Sequence, residues 1–120
     1  MQPYTELKVW QRSHALVLQV YRLSALLPQE ERFGLVSQLR RAAASAPTNI
    51  AEGSKRRGSH DFAHFLNIAE GSLAEVDYLL LLVRDLGYVG DDKVAPMRAE
   101  VDEISRMLHS FRLKVENSGP

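Results

Sequence analysis

The sequence predicts an all-α fold: four helices packed as an antiparallel up-and-down bundle. Three observations carry that expectation. Apolar residues recur at steps of three and four in four successive segments, no segment alternates with a period of two over strand length, and the breaks between segments are short. Helices of about 20 residues run about 30 Å, and short connections force neighbours to lie antiparallel.

The first helix is expected over residues 7–27, with Val9, Leu16, Val20, Leu23 and Leu27 on one face and Trp10, Val17 and Tyr21 on a neighbouring strip. Pro28 ends it, because proline cannot donate a backbone hydrogen bond and restricts the residue before it. The second is expected over 30–54, with Val36, Leu39, Ala43 and Ile50 inward, closed by Gly53 and the loop Lys55-Arg56-Arg57-Gly58. Pro47 lies inside this pattern and deprives the Ala43 carbonyl of its partner, which predicts a kinked helix. The third, over 60–87, carries the seam Phe62, Leu66, Ala69, Leu73, Val76, Leu80 and Val83. Ser59 or Asp61 suits its N-cap, and Gly87 sits where a helix stops. The fourth, over 92–116, repeats the seam with Val94, Met97, Val101, Ile104, Leu108, Phe111 and Val115. Asp91 and Asp92 complement the dipole at its start, and residues 117–120 read as a frayed tail.

A chain of 120 residues, 45% hydrophobic and 25% charged, fits one domain, expected over residues 1–120, with enough apolar material for one core. No apolar run reaches the ~20 residues that span a bilayer, and no membrane partner is expected. The start of the chain lacks the pattern of a secretory leader. With no cysteine, disulfide and thiolate chemistry are absent, and a cytoplasmic location is expected. Net charge is zero but segregated: residues 1–60 carry +5 and residues 61–120 carry −5. Such segregation pairs helices of opposite sign within or between subunits, or leaves a basic surface beside an acidic one.

Beside its first seam the third helix bears a second: Phe65, Ile68, Ser72, Glu75, Leu79, Leu82 and Leu86. Residues 79–83 are apolar around the whole circumference, as in a helix buried on all sides. A second copy covering the outer face satisfies that requirement, so a homo-oligomer is expected, with Phe65, Ile68, Leu79, Leu82 and Leu86 as its interface candidates.

Two stretches carry a family resemblance. Residues 38–53, Gln-Leu-Arg-Arg-Ala-Ala-Ala-Ser-Ala-Pro-Thr-Asn-Ile-Ala-Glu-Gly, and residues 65–75, Phe-Leu-Asn-Ile-Ala-Glu-Gly-Ser-Leu-Ala-Glu, resemble the two signatures of the four-helix-bundle family named after the protein encoded in 23S rRNA intervening sequences. Leu7-Lys8-Val9-Trp10-Gln11 and Asp85-Leu86-Gly87-Tyr88 are similar too, and the resemblance spans about residues 4–90. It implies a four-helix bundle assembled as a five-fold ring with a central channel, and no enzymatic activity. It also implies kinship with accessory proteins of diversity-generating retroelements, which bind nucleic acid and a reverse transcriptase. The chain departs from the pattern at Ala46, where a larger aliphatic is usual, at Glu70, where a base is frequent, and in its neutral overall charge.

Gln38, Arg41, Ser45, Asn49 and Glu52 fall a turn apart on one helical face and, with Ser72 and Glu75, suit a polar network that fixes register. The alternative, a ligand pocket, wants residues converging from several loops. Arg40, Arg41, Lys55, Arg56 and Arg57 are the nucleic-acid candidates, since clustered cations neutralise phosphates and release counterions; the bland alternative is a solvated loop.

Signals of catalysis fail. Residues 53–59 have the outer glycines of a phosphate loop but lack its Lys-Ser/Thr pair and follow a helix instead of a strand. Ser59-His60-Asp61 is consecutive, whereas triads assemble from separate segments. His60 and His64 lie one turn apart as in a zinc motif, yet no third ligand is evident, which leaves hydrolase chemistry the weakest alternative. No catalytic residue, cofactor or metal is assigned. The expected function is a non-enzymatic homo-oligomeric scaffold whose basic loop engages structured RNA or DNA; the alternative is a protein-only adaptor that gathers partner proteins.

Overall fold

Among the described residues four α-helices occur in the order expected: α1 (Lys8–Ser24), α2 (Leu35–Ser54), α3 (Ser59–Asp85) and α4 (Asp91–Glu116). The computed structural model describes residues 2–119, and no strand occurs among them. Each helix packs on its neighbour in chain order and α1 closes onto α4, with the α2–α3 contact the most extensive and the α1–α4 contact the least. The molecule measures 48 × 24 × 20 Å, and 27 residues of α3 alone account for roughly 40 Å of the long axis.

One cluster of buried side chains draws on all four helices, including Leu16, Val20, Leu39, Ile50, Leu66, Leu73, Leu80, Ile104 and Leu108. These are the residues that helical periodicity turns inward. The buried serines 13, 24 and 54 each donate to a carbonyl three or four residues back, so no hydroxyl is stranded in the core. Pro47 is buried within α2 and does not break it into two elements.

Element boundaries differ from expectation at two places. Helix α1 stops at Ser24, and α2 begins at Leu35 instead of near residue 30. A short 3-10 turn, Gln29–Glu31, occupies the interval. Glu31 explains the delay: its Oε1 accepts from the Leu35 N–H at 3.3 Å, and its Oε2 accepts from the Tyr88 hydroxyl at 2.9 Å. The glutamate thus serves as a cap and a tether, roles no local pattern specifies. At α3 the N-cap is Gly58, with no side-chain cap; the Ser59 hydroxyl donates to the Gly119 carbonyl, so neither Ser59 nor Asp61 caps this helix.

The C-terminus of α3 ends as its glycine predicts. Gly87 adopts φ +80°, the Gly87 N–H donates to Arg84, and the Tyr88 N–H donates to Val83 at 3.1 Å. This pair of bonds is the Schellman arrangement, which needs a left-handed residue that glycine supplies without a Cβ penalty.

Candidate nucleic-acid interface

Helix α2 ends at Ser54 and α3 begins at Ser59, so Lys55, Arg56, Arg57 and Gly58 form the whole connection. The Lys55 N–H reaches back to the Glu52 and Gly53 carbonyls, and the Arg56 N–H to Gly53 at 3.0 Å. Three cations therefore sit where the partial negative charge of the α2 dipole favours them. All three are exposed, and none forms an ion pair among the described residues. Two lie over aromatic rings instead. The Arg56 guanidinium is 4.6 Å from the Phe65 ring centre, and the Lys55 ammonium 6.0 Å from that of Tyr4.

The other two expected cations are elsewhere. Arg40 turns towards α1: its Nε donates to the Ser24 hydroxyl at 2.7 Å, its Nη2 donates to the Tyr21 carbonyl at 3.3 Å, and its guanidinium stacks 4.4 Å from the Tyr21 ring centre. It binds the end of α1 and is not part of a basic patch with the loop. Arg41, about 100° further round the helix, is exposed on a groove of about 600 Å³ with Phe33, Gln38, Ser45 and Glu75. Fourteen residues of helix separate it from Lys55, about 21 Å. The five cations do not form one patch.

The polar network forms in reduced extent. The Ser72 hydroxyl donates to the Ser45 hydroxyl at 2.8 Å, the Asn49 amide donates to the Ser45 carbonyl and hydroxyl at 2.8 and 3.0 Å, and Gln38 donates to Glu75 at 3.5 Å. Asn49 thus serves the Ser45 carbonyl. Arg41 and Glu52 form no ion pair among the described residues, so they do not join the network as expected.

Residues 5–110 match the family model described as 23S rRNA-intervening sequence protein. The chain belongs to that family. Among solved structures it is similar to a protein of unknown function from the S23 ribosomal protein family of Bacteroides thetaiotaomicron, with 26% identity and a TM-score of 0.80. That likeness covers 87% of this chain and 97% of the other. No curated protein matches the chain.

In this member of the intervening-sequence protein family, the second strip of α3 is largely used within the chain. Leu79 is only 2% exposed, Leu82 is half-buried against the core, and Ser72 is bonded to α2. Leu79 was expected on an outer face and lies in the core instead. Ala42, Ala46 and Gly53 of α2 are buried, and a Cβ built on Gly53 would stand 2.8 Å from the Phe65 Cβ. Helix α2 therefore approaches α3 closely at Phe65. Ile68, at 40%, and Leu86, at 50%, remain outside, joined by Tyr78 at 58%.

Glu70, one of the departures from the family pattern, has a structural partner set. Its carboxylate accepts from Arg112 Nε and lies 3.1 Å from His109 Nδ1, both on α4. Hydrogen bonds to Glu70, and then to Glu116, hold the Arg112 guanidinium charged to still higher pH than usual. His60 and His64 are exposed at the start of α3. No cluster of three or more histidine or carboxylate groups among the described residues could hold a metal. No helix among them is long and apolar enough to cross a membrane.

One set of residues escaped the reading of the sequence. Trp10 and His14 stack in parallel at 5.0 Å and 7°, and Tyr4 meets Trp10 edge-on at 5.2 Å. With Val17 they line one side of a groove of about 370 Å³, opposite Ala44, Pro47, Thr48, Ala51 and Glu52 of α2. The signal available was the spacing of Trp10 and His14, one turn apart. That the pair stands next to the basic loop follows only from the packing of α1 on α2.

Proposed function

We propose that this protein is a non-enzymatic, homo-oligomeric scaffold that holds structured RNA or DNA through the loop Lys55-Arg56-Arg57. The observation that carries the reading is the loop itself: three exposed cations, unpaired among the described residues, at one end of a helix. Repeated around an oligomer, such a contact gains strength through effective concentration. Charge segregation supports self-association, because the +5 of residues 1–60 on one copy complements the −5 of residues 61–120 on the next. Exposed apolar residues occur in both halves, Leu18, Leu26 and Phe33 in one and Ile68, Tyr78 and Leu86 in the other. Copies related head-to-tail close into a ring when the rotation between them divides a full turn, and five-fold symmetry is the stoichiometry implied by the family resemblance.

An antiparallel arrangement of neighbouring helices is part of the proposal. Asp77 pairs with Arg98 at 2.9 Å and Glu70 with Arg112, so position rises along α4 as it falls along α3. A bend at Pro47 accompanies it, since the ring removes one backbone donor from α2. The proposed compartment is the cytoplasm. Phe33, 88% exposed beside Arg41 and Glu75, favours the second reading, a protein-only adaptor.

Titration of a labelled structured RNA at low and near-physiological salt tests the first reading against the second. Three phosphate contacts predict a loss of roughly twenty- to fortyfold in affinity between 50 and 200 mM salt. Changing Lys55, Arg56 and Arg57 to Glu abolishes binding if the loop is the contact. Absence of binding at low salt rejects nucleic acid and leaves the adaptor.

A further inference from the structure

We infer that the part of the nucleic acid this site prefers is single-stranded, with unstacked bases held on aromatic side chains flanking the basic loop. The inference rests on the nucleic-acid reading above and names the substrate class of that site. Aromatic rings flank the basic loop on both sides. His14 stacks on Trp10, Trp10 meets Tyr4, and Tyr4 lies under the Lys55 ammonium. Beyond the loop, Arg56 covers Phe65, whose ring meets His64 at 5.9 Å.

Each component suits a different part of a flexible strand. Phosphates need cations that are exposed and free of carboxylate partners, as Lys55, Arg56 and Arg57 are among the described residues. Bases need ring faces beside an apolar wall, and the groove between α1 and α2 offers His14 and Trp10 opposite Pro47 and Ala51. Exposed Thr48 and Glu52 on the same groove give a base edge a hydroxyl and a carboxylate to bond. A duplex hides its base faces and cannot use that wall, whereas a single strand uses wall and loop together.

Trp10 is the sole tryptophan of the chain, so its fluorescence reports the groove without interference. The test titrates the full-length protein at low salt with an oligothymidylate of about 12 nucleotides, inside the range of single-strand site sizes. A matched strand with abasic positions, and a duplex, are compared with it. Binding is read by anisotropy of a labelled strand, and the groove by Trp10 emission with an unlabelled strand. The expected result is quenched Trp10 emission, with at least fivefold tighter binding of the base-bearing strand than of the abasic one, the order of one lost stack. His14→Ala, at an exposed position, weakens binding by a similar factor and leaves helicity unchanged. Equal binding of both strands with unchanged Trp10 emission overturns the aromatic contact while the loop reading stands. Preference for the duplex overturns it likewise. No binding of any strand or of the structured RNA overturns both.

Discussion

Two glycines in neighbouring helices respond to the same substitution in opposite directions. At Gly53, an added Cβ would lie 2.8 Å from the Phe65 Cβ, 2.9 Å from a Phe62 ring carbon and 3.3 Å from the Phe62 carbonyl. The ring can swing, but the Phe65 Cβ is fixed to the α3 backbone. Restoring an ordinary carbon contact of about 3.5–4.0 Å requires α2 and α3 to separate by roughly 0.7 Å or more. Overpacking of this kind costs about 1–3 kcal/mol, offset by less than the ~1 kcal/mol that alanine gains over glycine inside a helix. The net expectation for Gly53→Ala is a loss of about 1–2 kcal/mol, or roughly 4–8 °C in Tm for a chain of this size. Gly71 is exposed within α3 with nothing within 4 Å of an added Cβ. Gly71→Ala therefore stabilises, by about 0.5–1 kcal/mol. Thermal and urea unfolding followed by circular dichroism, at one fixed protein concentration, measure both. A Gly53→Ala variant as stable as the parent, or two shifts of the same sign, would refute close helix approach as the reason for Gly53.

Other outcomes follow from the contacts described above. Glu70→Gln removes the charge that holds Arg112 and His109 on α4; with both members of the Glu70–Arg112 pair about one-fifth exposed, the expected loss is about 1 kcal/mol. That loss is measured by urea unfolding and shrinks at high salt. The bond to Glu31 raises the Tyr88 hydroxyl above its ordinary 10.0. Its contribution is complete below pH 10 and is lost as pH rises through the raised value, so Tyr88→Phe flattens the alkaline limb of a stability–pH profile. Ile68→Glu combined with Leu86→Glu places charge on the part of α3 left outside the chain's own core. Sedimentation is expected to show the mass of one chain, 13.5 kDa, with helicity retained; an unchanged assembly mass would reject this face as an interface.

The helices were legible because burial imposes a 3.6-residue period on every one of them, and the end of α3 because Gly87 alone suits its left-handed φ. The start of α2 was not, since it is set by Glu31 reaching both Leu35 and Tyr88. Which neighbour covers an apolar strip is equally invisible along a sequence. Leu79 and Leu82 lie on the second strip of α3, yet one is buried and the other half-buried against the chain's own core. Arg40 and Arg41 are adjacent in the chain but point about 100° apart, one into α1 and one to solvent. The loop cations were legible as a loop, whereas the aromatic groups beside them come from α1 and its preceding turn and meet Lys55 only after folding.

The two flanks of α3 are closed by different forces. Towards α2 the contact is made without charge, by the close packing of Gly53 on Phe65 and the hydrogen bond from Ser72 to Ser45. Towards α4 the rim is fastened by Asp77–Arg98 and Glu70–Arg112, and α4 is further tied to α1 by Arg12 on Glu100 and Glu103. Dispersion is indifferent to dissolved ions, while partly exposed ion pairs are screened within a Debye length of about 8 Å at physiological ionic strength. Salt thus loosens one seam and spares the other. Amide hydrogen exchange should rank the helices accordingly, with α4 opening as a unit before the α2–α3 pair and doing so more often as ionic strength rises. A bundle built this way keeps a firm α2–α3 pair while α4 answers to the surrounding electrolyte.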